Sequence, residues 1–116
     1  MFPIWQLTGW YPGEGAFRWS KPHASARFLR PSDATAFEML INVSDLYITR
    51  LNRSRVELSL NGVSLGARDI THSDWQTLSW TIPAAPAGPA EITIDVSPPY
   101  PANEPLGVAV GALGFR

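Results

Sequence analysis

Apolar and polar residues alternate with period two through most of this chain. The clearest run is Val56-Glu57-Leu58-Ser59-Leu60, with Val56, Leu58 and Leu60 on one side and Glu57 and Ser59 on the other. Such alternation marks a strand with one face in a core. Asn61-Gly62 follows. A two-residue type I′ turn needs positive φ at both central positions, and this pair adopts it at least cost, so a hairpin is predicted. Residues 36–44 repeat the pattern through Phe37, Met39, Ile41 and Val43, while Leu40 points to partial cover on the second face. Leu78, Trp80 and Ile82 form another inward set, which leaves Trp75 at a strand start or on the opposite face. Ile92, Ile94 and Val96 form a third.

Shorter runs predict strands over residues 4–10, 16–19, 24–29 and 106–115. In the last, Gly107, Gly111 and Gly114 predict bulges or close backbone approach. Ser20-Lys21-Pro22-His23 reads as a turn between two strands, and Tyr11-Pro12-Gly13 suits a type II turn. Residues 45–54 are less regular and read as a wrapping loop or a single helical turn. About eight or nine strands and no long helix predict an all-β fold. The expected form is an antiparallel two-sheet β-sandwich of jelly-roll topology.

Length and composition narrow the function. The 116 residues make one domain, large enough for a core without staples. The abrupt start and the Phe115-Arg116 end suggest a domain excised from a larger protein. A formal net charge of −1 lacks the clustered basic excess of a nucleic-acid footprint. The absence of cysteine removes disulfides, thiolate metal sites and a cysteine nucleophile. No apolar run reaches the roughly 20 residues of a transmembrane helix.

The densest chemistry lies in residues 9–19, which hold Trp10, Tyr11, Phe17 and Trp19 with Glu14 and Arg18. On one reading Trp10, Phe17 and Trp19 are core and Glu14–Arg18 is an ordinary ion pair. On the other, Trp10 or Tyr11 is a stacking platform, and Glu14 and Arg18 hydrogen-bond a sugar or another polar ligand. Trp75, Tyr100, Asn103 and Glu104 are secondary candidates. Gly62-Val63-Ser64-Leu65-Gly66 matches the G-x-S-x-G nucleophile elbow by letter. That elbow joins a strand to a helix, whereas this segment lies in a predicted hairpin. His72-Ser73-Asp74 reads as a polar turn, because sequence neighbours do not converge as a triad does. Glu14 and Glu104 lack any spacing that argues for a glycosidase pair. His23 and His72 share no zinc-ligand spacing. No cofactor is predicted. A structural calcium held by loop oxygens is the one metal left open, with Glu14, Asp95 and Glu104 as ligands.

Three segments carry a resemblance: Trp10-Tyr11-Pro12-x-Glu14 with Arg18-Trp19, residues 56–65 with their Asn-Gly turn, and Leu106-Gly107-Val108-Ala109-Val110. Together they resemble the small galactose-binding-like jelly-roll domains attached to bacterial glycosyltransferases and other cell-envelope glycan proteins. In such domains an acidic or arginine-containing loop precedes the Leu-Gly step; here Asn103-Glu104-Pro105 stands there without arginine. The resemblance implies a carbohydrate-associated setting in the cell envelope or outside the cytoplasm. The expectation is therefore a non-catalytic module that binds a glycan or sits beside a glycan-handling domain. The alternative is a structural or protein-interaction domain without a small ligand, docked on a neighbouring domain or forming a homodimer.

Overall fold

The computed structural model describes residues 4–10, 17–43, 48, 54–97 and 107–116, with backbone alone for residues 4–7. Its strands are β1 (Ile4–Trp10), β2 (Arg18–Arg30), β3 (Ala36–Asn42), β4 (Ser54–Leu60), β5 (Val63–Ile70), β6 (Gln76–Thr81), β7 (Gly88–Ser97) and β8 (Ala109–Phe115). They pair antiparallel in the order β5-β4-β7-β2-β8-β3-β6, with β1 added alongside β2. The all-β expectation holds, and the sheet curls until it is nearly a barrel.

The spine of the curl is β2. Its residues 23–30 pair with β7, while Arg18 and Trp19 pair with β8. The turn expected at residues 20–23 is absent, and the strand runs straight through Pro22. Proline lacks an N–H and so breaks a strand only where a ladder bond is required. Pro22 falls in the gap between the two ladders, where β2 changes partner.

The inward sets read from the alternation form one core. Phe37, Met39, Ile41, Val56, Leu58, Trp80 and Ile94 are each at most 2% exposed. At its centre Phe28, Phe37 and Phe115, from three strands, meet edge to face with centroids 5.2–6.0 Å apart. Each such pair adds about 0.5–1.5 kcal/mol beyond area burial. The predicted hairpin is present, with Asn61 at φ 50° and Gly62 at φ 84°.

Ser20 joins the two halves. Its N–H donates to the Val108 carbonyl at 2.8 Å, and its own carbonyl accepts from Gly107 N at 2.8 Å. Its buried Oγ accepts from Val108 N at 3.1 Å. A Cβ on Gly107 would lie 2.4 Å from that Oγ and 2.7 Å from the Lys21 carbonyl, so the predicted close approach is real. The opposite end of β2 is closed by Arg30, 6% exposed, which donates through Nη2 to the Pro83 carbonyl.

The outer face of the β2–β7–β4–β5 half carries a row of ion pairs, with Leu29 exposed beside them. His23 meets Asp95 at 2.5 Å, Arg27 meets Glu91 at 3.7 Å and Arg55 meets Asp69 at 2.9 Å, all partly exposed. The hydrogen bond from Arg55 to Asp69, and then their Coulomb attraction, raise the guanidinium pKa above its ordinary value.

Candidate functional site

The outer face of the other half carries an aromatic patch. Leu78 and Trp80 point inward from β6, so the alternation turns Thr77 and Trp75 outward. Trp75 is 45% exposed. The turn that carries it is tied down: Ser73 Oγ donates to the Val43 carbonyl at 2.6 Å, and Gln76 Nε2 donates to the His72 and Asp74 carbonyls at 3.4 and 3.3 Å. The ring stands edge-on to Phe17, with centroids 5.9 Å apart and planes at 62°. Phe17 in turn stands edge-on to Trp19 at 6.2 Å.

Register places these rings on the outside. Val110 lies in the core opposite Arg18, so Trp19, opposite Ala109, faces the other way. Leu40 is 36% exposed between buried Met39 and Ile41, and it extends the same face across β3. The result is a surface of Phe17, Trp19, Trp75 and Leu40 over β2, β8 and β3. Its most exposed ring is held from the side by Phe17, on a tethered turn. A ring held in this way loses little side-chain entropy when a ligand stacks on it.

Trp10 has a different position. Its Nε1 donates to the Ser25 carbonyl at 2.9 Å, and its ring packs against the core beside Phe28, Phe37, Met39 and Ile94. Trp10 and Trp75 therefore belong to opposite surfaces of the sheet. Arg18 is half-buried beside Val110, on the side away from Trp19. Tyr11, Glu14, Tyr100, Asn103 and Glu104 lie outside the described residues. So do the Glu14–Arg18 ion pair, two of the three calcium candidates and most of residues 45–54. Sequence reasoning placed Trp75 among secondary candidates and missed Phe17 and Trp19 as its supports. Parity was a signal for Leu40 alone, which lies between buried Met39 and Ile41. Phe17 and Trp19 flank Arg18 and read as core, and only the register of Arg18 with Val110 turns them outward.

The reactive-looking motifs are occupied structurally. Ser64 Oγ donates to Glu57 Oε2 at 2.9 Å and accepts from Gly66 N at 3.2 Å, within the β4–β5 hairpin. Ser73 is turned toward Val43, while His72 and Asp74 approach to 3.8 Å in solvent. Among the described residues no group of His, Asp and Glu side chains is arranged to hold a metal ion. Among the described residues no helix is long and apolar enough to cross a membrane. No family model and no curated protein matches this sequence.

Proposed function

We propose that this chain is a non-catalytic module that binds carbohydrate, in a glycan-handling setting, through the aromatic face around Trp75. The observation that carries the reading is Trp75 itself: a large ring, 45% exposed, whose position is set by a tethered turn and by Phe17. A sugar presents an apolar C–H face that stacks on such a ring, and neighbouring polar groups fix its orientation. Thr77, exposed on the same side, supplies one such hydroxyl. The curled antiparallel sheet is compatible with a galactose-binding-like jelly roll, and the resemblance to those domains supports a cell-envelope or extracytoplasmic setting.

The test is a calorimetric titration with soluble oligosaccharides, repeated on Trp75→Ala. Saturable binding that this substitution removes, with the fold intact, supports the reading. Binding that survives it places the site elsewhere.

One observation favours a second reading. The rings of the patch meet at 62° and 84°, and Leu40 extends it with aliphatic surface. A mixed apolar patch of this kind also suits protein association. On that reading the face meets a neighbouring domain or a second copy of the chain. A dimer in sedimentation that Trp75→Ala dissociates, with no glycan response, would select it.

A further inference from the structure

Gly111 lies under Trp75, at the register shift where β8 opposes β3: Leu40 pairs with Ala112 and Ile41 with Val110, so Gly111 is the extra residue. A Cβ built on it would lie 3.2 Å from Trp75 Cζ3, 3.6 Å from Trp75 Cη2 and 3.4 Å from Leu40 Cδ2. These nearest neighbours are side chains of the aromatic face, and none is backbone. The φ of Gly111 is outside the left-handed region, so its backbone conformation does not demand glycine. Other glycines differ. Gly9 has φ +80° and would press a Cβ to 2.3 Å from the His23 carbonyl, and Gly107 would meet the Lys21 backbone. Those two serve the packing of strands.

We propose that Gly111 is a positioning residue for the binding face, whose missing side chain is the seat on which the Trp75 indole lies. This rests on reading Trp75 as the stacking surface. Carbon atoms pack best at roughly 3.5–4.0 Å, so an alanine at position 111 lifts the ring by a few tenths of an ångström. The lift acts where Phe17 holds the indole from the side. The backbone of β8 has no reason to move, because its φ is one that alanine adopts.

The experiment uses the whole chain labelled with 5-fluorotryptophan, with the Trp75 resonance assigned by its loss in Trp75→Phe. Gly111→Ala is expected to shift the Trp75 fluorine signal, to leave the other four tryptophan signals in place and to keep the urea midpoint near wild type. It is also expected to weaken binding of β-linked gluco-, xylo- or N-acetylglucosaminyl oligosaccharides by about tenfold, whichever the wild type binds. The shorter ring of Trp75→Phe does not reach the seat, so in that background Gly111→Ala should cause no further loss. A double-mutant cycle reads this coupling, which a general effect on stability would not produce. An unmoved Trp75 signal in Gly111→Ala overturns the proposal, and so does an equal loss of affinity in the phenylalanine background. If the wild type binds none of these glycans, the carbohydrate reading fails, and the fluorine shift alone decides whether Gly111 seats the ring.

Discussion

The Arg68 guanidinium lies 5.2 Å from the centroid of the Trp80 ring, and each residue hydrogen-bonds the other's strand. Arg68 Nη2 donates to the Ser79 carbonyl at 3.0 Å, and Trp80 Nε1 donates to the Gly66 carbonyl at 3.1 Å. Here β5 and β6, the two ends of the sheet, come together without a backbone ladder. Side-chain donors take the place of the missing N–H groups. Bare strand edges invite pairing with other chains, so the clasp both closes the curl and protects its edges.

Removing the clasp should show twice. Trp80→Phe loses the bond to Gly66 and some buried volume, a cost of about 2–3 kcal/mol in urea unfolding. Arg68→Ala should cost about 1–2 kcal/mol. It should also make the chain self-associate with rising concentration, as read by light scattering. A monomeric Arg68→Ala of wild-type stability would show that the seam holds without it.

On the carbohydrate reading proposed above, Trp75 and Trp10 should separate glycan binding from stability. Trp75→Ala is expected to change the unfolding free energy by only about 1 kcal/mol, the scale of its aromatic contacts. Glycan affinity should fall tenfold or more, the equivalent of at least about 1.4 kcal/mol. Trp10→Ala is expected to do the reverse. Its lost packing and its bond to Ser25 cost about 2–4 kcal/mol, and glycan affinity persists wherever the variant is folded.

At the junction of the two halves, Gly107→Ala should be among the most damaging small substitutions. Its Cβ would meet both the Ser20 hydroxyl and the Lys21 backbone, and a cost above about 2 kcal/mol is expected. Ser20→Ala alone leaves the buried Val108 N–H without its hydroxyl partner and should cost about 1–3 kcal/mol. In the double variant the hydroxyl collision is relieved but the Lys21 contact is not. The combined cost should therefore fall short of the sum, as measured by chemical denaturation.

Arg30 is a buried cation whose Nε has no hydrogen-bond partner among the described residues. Replacing a buried charge by an apolar side chain of similar length is often neutral or stabilising. Arg30→Met should unfold within about 1 kcal/mol of wild type or above it, whereas Arg30→Ala leaves a cavity and should cost about 2 kcal/mol or more. A large loss in Arg30→Met would show that the bond to the Pro83 carbonyl anchors the end of β2.

Much of this architecture was legible in the chain because its signals are local. Alternation identified Leu78, Trp80 and Ile82 as one inward set, and all three are at most 8% exposed. It also marked Ile92, Ile94 and Val96, each at most 4% exposed. Asn61-Gly62 specified its turn through φ alone. Pro22 misled for the same reason. A proline signals a break locally, but its effect depends on whether a neighbouring strand asks for its N–H, and β2 happens to change partner there.

The candidate site was legible only in part. Parity sent Trp75 to the face opposite Trp80, which is a property of one strand. What lies against its ring is not: Phe17 and Gly111 are distant in sequence, and only the registers of β2 with β8 and of β8 with β3 bring them together. By itself the sequence determined the inward sets of β3, β4, β6 and β7 and the turn at Asn61-Gly62, because period and turn chemistry act over a few residues. The tertiary structure decided which tryptophan is structural and which is exposed. It also set where the curl closes and which glycine lies beneath the indole, since each depends on strands that meet only after the sheet has formed.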